Sequence, residues 1–320
     1  MLIAGPNLTI DRTLTIDELL PGHVLRFENA AITPGGKGVN VARVARELGA
    51  PALLVGFTPG HTGRAVARLI ADEGLKLRPV EVAGELRAAI VVLERGGRVT
   101  VLNEPGPTLG EGDWDRYEAV VAEGFAEHSV MVCSGSLPPG TPRDAYARLA
   151  VLAERAGVTA IVDGAGDVLG AALDANPDVV TPNLAEAEGL LHGRADESVE
   201  AGDPVAVRDR AGTAAAELVS RGARAAVVTA GGAGAALANR SNVIWHPAPN
   251  VTVHNPIGAG DSFAGGLAAA LERGEDLGAA VAFGLATAAA SVESATAGVI
   301  DPERAAELAS SAPPTETLLN

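Results

Sequence analysis

The chain has one cysteine, Cys133, so no internal disulfide can form, which suits a reducing compartment. Cys133 closes the apolar run Val130-Met131-Val132-Cys133 and reads as a buried, inert thiol. Positive charge is also scarce: 24 basic residues face 40 acidic ones, for a formal net charge of −16. Such a chain lacks the basic face that non-specific nucleic-acid binding needs. An anionic substrate would have to find a local positive pocket against the overall field. Long apolar runs are absent as well. The stretch Ala286 to Ser291 is apolar but short, and Glu293 follows at once, so no membrane span is expected. Met1 to Asn7 has neither the basic segment nor the apolar run of a signal peptide, and the expected location is the cytoplasm. The histidines, His23, His61, His128, His192, His246 and His254, show no metal-ligand spacing, which argues against a hydrolytic zinc site. Lysine occurs only at Lys37 and Lys76. An arginine-rich chain that keeps a compact point charge inside Gly35-Gly36-Lys37-Gly38 marks that turn for attention.

What is present is a large apolar fraction, 47% of 320 residues, enough for the core of one α/β domain. Strand-like runs fall at Leu2–Gly5, Ala52–Phe57, Ala88–Leu93, Val130–Cys133, Ala160–Asp163, Val179–Thr181, Ala225–Thr229 and Val243–Trp245. Several are continuous rather than alternating, the pattern of parallel strands buried on both faces. Helix-like stretches lie between them, at Val41–Leu48, Thr62–Glu73, Trp114–Phe125, Arg143–Ala156, Ala185–Leu191, Thr213–Ser220, Ser262–Arg273 and Leu277–Val292. This rhythm predicts a doubly wound α/β sandwich. The segments 14–32 and 85–102 break the rhythm and read as strands with turns, forming a small separate sheet over the main one. Gly96-Gly97 makes the hairpin turn of the second. The polar stretch 193–204 reads as a surface loop, and 311–320, with Pro313-Pro314 just inside it, as a flexible tail.

Two glycine-rich turns open helices. The first is Thr33-Pro34-Gly35-Gly36-Lys37-Gly38-Val39-Asn40. It is no Walker A loop, because Gly38 stands where Ser or Thr must follow the lysine. The second is Asn255-Pro256-Ile257-Gly258-Ala259-Gly260-Asp261-Ser262. A helix N-terminus offers unpaired N–H groups and partial positive charge, hence an anion site. Asp261 there fits either a helix cap or a functional carboxylate. Likewise Thr181-Pro182-Asn183-Leu184-Ala185-Glu186 follows a strand, opens a helix and by itself reads as a capping box. Ser134-Gly135-Ser136 is not a nucleophile elbow, since Ser134 occupies the place of the first glycine.

In this order along the chain, these segments resemble the ribokinase-like, phosphofructokinase B type carbohydrate kinases. The Asn40-Val41-Ala42-Arg43-Val44 wording is most similar to the 1-phosphofructokinase and tagatose-6-phosphate kinase branch. The resemblance implies a three-layer α/β/α sandwich with a mostly parallel sheet. It implies one kinase domain over 1–310, with a small β-sheet lid from about 12–33 and 85–103. The implied reaction is ATP-dependent phosphorylation of a hydroxyl on a ketohexose phosphate, with Mg²⁺ and with Asp261 as base. The amides of Gly258, Ala259 and Gly260 would hold the moving phosphoryl group. By the same resemblance Asp11 binds sugar hydroxyls, Gly36, Lys37 and Asn40 touch the sugar or its phosphate, and Arg87, Ser136 and Arg26 reach the phosphate. Asn183 and Glu186 would act around Mg²⁺ mostly through water, and Thr229, Gly231, Gly234, Ala288 and Ser291 would line the nucleotide. Thr181 stands where many relatives have lysine, and Leu86 where they have threonine, which thins the polar contacts at both places. A homodimer through the lid is expected. A kinase for a free sugar or nucleoside would share Asp261 and the anion turn without the phosphate pocket. A non-catalytic sugar or nucleotide binder could dispense with Asp261, Asn183 and Glu186.

Overall fold

The computed structural model describes residues 1–320 except 29, 194–201, 295–297 and 320. The stretch 193–204, expected as a loop, therefore lies mostly outside the described residues.

The chain begins with β1 (Leu2–Ala4), β2 (Thr9–Ile16), β3 (Ala30–Gly35), α1 (Lys37–Glu47), β4 (Leu53–Phe57), α2 (Gly60–Asp72) and β5 (Leu77–Val80). There follow β6 (Ala88–Glu94), β7 (Val99–Asn103), α3 (Asp113–Glu123), β8 (Val130–Ser134), α4 (Ala145–Ala156), β9 (Thr159–Asp163) and α5 (Gly166–Leu173). Next come β10 (Val179–Val180), α6 (Leu184–His192), α7 (Pro204–Ser220), β11 (Ala225–Thr229), β12 (Gly234–Asn239) and β13 (Val243–Pro247). The chain closes with α8 (Ala259–Glu272), α9 (Leu277–Val292), α10 (Pro302–Ser310) and β14 (Glu316–Leu319).

Ten strands form the large sheet, in the order β14-β13-β12-β11-β10-β9-β8-β1-β4-β5. Every neighbouring pair from β11 to β5 is parallel, and β12, β13 and β14 add an antiparallel edge. The central strands are buried on both faces because helices cover both. One core gathers Tyr117, Tyr146 and Leu149 from α3 and α4, and the other gathers Val41, Ile70 and Leu267 from α1, α2 and α8. That double burial is why β8, Val-Met-Val-Cys-Ser, carries no polar alternation.

The smaller sheet has the order β3-β2-β6-β7, with β2 and β6 parallel and both outer pairs antiparallel. Its predicted hairpin turns at Gly96-Gly97, where Gly97 has φ 88°. Among the described residues, no helix is long and apolar enough to cross a membrane.

The segment 311–320, expected as a flexible tail, instead carries β14, which pairs with β13 and places Leu318 against the core. The exposed Arg208–Glu316 ion pair, 2.9 Å, sits beside it. The Pro-Pro start of that segment hides a short strand whose ladder partner is remote in sequence. Two further helices, α5 and α10, have little polar periodicity or lie near the end of the chain and were not predicted. Helix α7 begins at Pro204 rather than 213, with Asp203 capping Ala206 N.

Candidate active site

The parallel strands deliver their C-terminal ends to one edge, where open α/β sheets form their ligand crevice. Asn7 follows β1 there, Ser134 ends β8, Asp163 ends β9, Asn183 follows β10, and Thr229 ends β11. A lone parallel bridge, Asn183 with Thr229, extends the β10–β11 pairing by a step and sets these two residues side by side.

Helix α1 reaches this edge from the small sheet. Its N-cap, Gly36, has φ 103°, a conformation that favours glycine, and no side chain caps it. Lys37, the first helical residue, lies 3.3 Å from Asp163 Oδ2, and Ser134 Oγ donates to the same oxygen at 3.0 Å. Asn40, one turn on, donates from Nδ2 to Asp261 Oδ2 at 2.7 Å. Asp261 stands in the first turn of α8, where Gly258 is the N-cap at φ 82°, again without a side-chain cap. Asp261 is thus not capping its own helix, and the open first-turn amides remain an anion site. Ala259 N–H is turned to Pro256 O at 3.3 Å, which leaves Gly260 better placed than Ala259 to offer its amide.

The electrostatics around Asp261 are distinctive. Burial pushes its carboxyl up to about 7, against the pull of Lys37 and the Asn40 hydrogen bond, while Asp163 and Glu186 push it further. Lys37 is raised in turn by Asp163, then by Asp261 and Glu186, so it stays protonated. Glu186 is also raised by burial, with Lys37 opposing. Three carboxyl groups therefore surround one lysine.

On the small-sheet side, Asn7 ties the parts together. Its Nδ2 donates to Ser136 Oγ at 3.0 Å and to Pro105 O at 3.2 Å, and its backbone O accepts from Arg87 Nη2 at 3.1 Å. Arg87 Nη1 also reaches Glu104 O at 3.3 Å, while its Nε is buried without a partner among the described residues. Asp11 lies directly over Gly35: a Cβ there would sit 2.0 Å from Asp11 Oδ2 and would displace the carboxylate. Burial raises the Asp11 carboxyl, Arg87 opposes, and its Oδ1 is buried without a partner among the described residues. Unpaired buried atoms of both charge signs on this side suit a ligand with hydroxyls and an anion.

On the other side of α8 lies a cavity of about 580 Å³, lined by Asn183, Thr229, Gly231, Ala288, Gly260 and Phe263 among others. Its mostly apolar walls come from the β11–β12 turn, the segment 248–256 after β13, the start of α8 and helix α9. Gly234 and Ser291, expected with this group, do not line it. Gly234 has φ 139° and packs on His246 O, and Ser291 Oγ turns back to Ala288 O at 2.8 Å. Arg26 is exposed in the loop between β2 and β3 and has no hydrogen bond or ion pair among the described residues, so the structure does not bring it to Arg87 and Ser136.

Asn183 and Glu186 form a full capping box: Asn183 Oδ1 accepts from Glu186 N at 2.8 Å, and Glu186 Oε2 from Asn183 N at 2.9 Å. Glu186 Oε1 stays outside that exchange. Among the described residues, no group of three His, Cys, Asp or Glu is arranged to cage a metal. The donors fit Mg²⁺ all the same. They are hard oxygens, a polyphosphate would add charge to a site already rich in carboxylate, and Mg²⁺ keeps its waters rather than requiring a cage.

Sequence reasoning missed Asn7, Ser134 and Asp163. Asp163 carried a usable signal, a carboxylate at the C-terminal end of a buried strand.

The comparisons agree with this geometry. A family model described as pfkB family carbohydrate kinase matches residues 7–304. The chain belongs to that family. It is 33% identical over 274 residues to a 1-phosphofructokinase of Rhodobacter capsulatus, covering 85% of this chain and 83% of that one. It is 30% identical over 267 residues to a tagatose-6-phosphate kinase of Staphylococcus epidermidis, covering 83% of each. Among solved structures, phosphofructokinase-2 from Escherichia coli in complex with fructose-6-phosphate matches with a TM-score of 0.83 and 29% identity, over 97% of this chain and 98% of that one. The fold is the ribokinase-like sandwich.

Proposed function

We propose that this protein transfers the terminal phosphoryl group of ATP to a hydroxyl of a ketohexose phosphate, with Asp261 as the base. The observation that carries the reading is the position of Asp261. It is buried at the head of an uncapped helix, hydrogen-bonded through Asn40 toward the polar small-sheet side, while the neighbouring Gly260 lines the 580 Å³ cavity. A base poised near neutral pH can take the acceptor hydroxyl's proton as the bond to phosphorus forms.

In this reading Asp11, Gly36 and Asn40 hold the sugar, and Arg87, Ser136 and Lys37 its phosphate. Asn7 keeps Arg87 and Ser136 in place. Asn183, Thr229, Gly231 and Ala288 bound the nucleotide, and the first-turn amide of Gly260 meets the moving phosphoryl group. Asn183 and Glu186 hold Mg²⁺ through water; when bound, the ion offsets phosphate charge. The small sheet acts as a lid that excludes water from the transfer. The single cysteine favours a cytoplasmic protein.

A homodimer through the lid is supported by one rank of its outer face. Ile32, Arg12, Ile90 and Leu102 lie in register across the sheet, and the three apolar members are 47%, 38% and 57% exposed. A second copy covering that rank explains why it is apolar. Sedimentation should show a dimer that Ile90→Lys converts to monomer.

The deciding measurement is ADP release from MgATP over a panel of sugars and sugar phosphates, with Asp261→Asn beside the parent. One phosphorylated ketohexose should be turned over strongly, and the variant should lose that activity. Equal rates in parent and variant across the panel would end the proposal. Turnover of free sugars alone would move the assignment to a free-sugar kinase.

A further inference from the structure

Asn40 stands between two charged groups. Its Nδ2 donates to Asp261 Oδ2 at 2.7 Å, and its Oδ1 accepts from Arg43 Nη1 at 3.0 Å. The two ends of an asparagine amide have nearly the same shape, so the partners decide which way it points. A guanidinium can only donate. With Arg43 in place, the inverted amide would set N–H against N–H on one side and oxygen against carboxylate on the other. Arg43 and Asn40 are three apart on α1, neighbours on one helix face.

Arg43 is itself clamped. It is 9% exposed. Its Nε donates to Glu73 Oε2 at 2.7 Å, and its Nη2 to Glu73 Oε1 at 2.8 Å and to Pro34 O at 2.7 Å. Glu73 is the C-cap residue of α2, and Pro34 belongs to β3, so two other elements fix the guanidinium. A bidentate arginine–carboxylate pair fixes direction as well as distance.

We propose that Arg43, clamped by Glu73, is a positioning residue for the base: it orients the Asn40 amide so that its nitrogen faces Asp261. This rests on the reading of Asp261 as the base. The charged groups facing Asp261 are Lys37 from α1, Asp163 from β9 and Glu186 from α6. Arg43 is not among them. It acts directly on Asp11 of β2 and reaches Asp261 through the amide. An amide N–H donated to a carboxylate favours its ionised form, and an amide oxygen turned to it would favour the protonated form.

The test uses the full chain with aspartate labelled with ¹³C at the carboxyl, titrated by NMR. The Asp261 resonance is identified by its loss in Asp261→Asn. Arg43→Met and Asn40→Leu should each raise its midpoint by roughly one pH unit, the size of a lost hydrogen bond to a charged group. The double variant should rise no further, and Arg43→Lys, which keeps a donor, should stay near the parent. An unmoved midpoint in Arg43→Met overturns the proposal. So does a full second shift in the Asn40→Leu background, which would mean that Arg43 acts by its charge alone. If Arg43→Met does not fold, Glu73→Gln is read in the same way: a rise that Asn40→Leu abolishes supports the proposal, and no rise refutes it. Turnover is measured alongside. A parent without kinase activity whose midpoint still moves as expected would remove the kinase reading and leave the positioning role standing.

Discussion

The two sides of the site are built differently. On the small-sheet side, side chains do the work. Asn7, Arg87, Ser136 and Asp11 are polar, and the first three are linked by hydrogen bonds of 3.0 to 3.1 Å through Asn7. On the cavity side the walls are mostly apolar, from glycine and alanine to Val251, Phe263 and Leu285, with Asn183, Thr229 and Asn250 the polar members. The first side is suited to telling one ligand from another, because a polar group without its partner is costly when buried. The second is suited to admitting a flat, bulky group by shape. Asp261 and the open turn of α8 lie at the boundary, where a group could pass from one side to the other.

The strongest way to break this division is at the boundary. Asp261→Asn keeps the size and the Asn40 contact but removes the base. Turnover of the preferred sugar phosphate should fall by about 10²–10⁴-fold, with little change in KM for either substrate. Steady-state kinetics with both substrates varied checks this. A loss shared by KM for ATP alone would place Asp261 on the cavity side.

Next in size is Arg87→Ala, which acts on the small-sheet side only. It removes a charged donor and frees Asn7 O. For a phosphorylated sugar kcat/KM should drop about 100-fold, while KM for ATP stays near the parent's. For a free sugar the effect should be several-fold smaller, so the ratio of the two losses measures how far the phosphate defines the substrate.

Ala288→Phe is the mirror of that variant. It fills part of the 580 Å³ cavity without touching the polar cluster. KM for ATP should rise about tenfold, and KM for the sugar phosphate should not move. Isothermal calorimetry with a non-hydrolysable ATP analogue gives the same number without turnover. Effects on both substrates alike would mean that the two sides are one continuous pocket.

The same contrast governs how much was readable in the sequence. The cavity side and the anion turn declared themselves, because glycines and helix starts have short local signatures: Gly258 to Asp261 is contiguous, and Asn183 and Glu186 are three apart. The buried parallel strands were equally plain from runs such as Val130–Cys133. What stayed hidden is what the fold assembles from distant segments. Asn7 meets Ser136 and Arg87 only once β1, β8 and the small sheet are in place. Asp163 gains its meaning from Lys37, 126 residues away. Gly234 and Ser291 fit the right segments but face elsewhere, since a motif does not fix which way a residue points. β14 was hidden for the same reason as Asp163, because its partner strand is remote.

The smallest expected effect also sits at the boundary and concerns stability. Burial raises the Asp261 carboxyl from 3.8 to about 7 in the folded chain. Below 3.8 the acid is protonated in both states, and the group costs nothing. As pH rises between these values the folded state holds the proton more tightly than the unfolded one, so the parent loses stability. Above 7 the full cost of a buried carboxylate is present. Asp261→Asn never carries that charge, and its Oδ1 can still accept from Asn40. Its melting temperature should therefore exceed the parent's, by about 2–4 °C at pH 8 for each kcal/mol relieved, and the gap should narrow toward pH 5. Differential scanning calorimetry of both proteins at pH 5, 6.5 and 8 reads this directly. A gap that is constant with pH would show that the carboxylate is not the strained group. A site that holds its base near neutral pH by burial gives up stability at the residue that must move a proton.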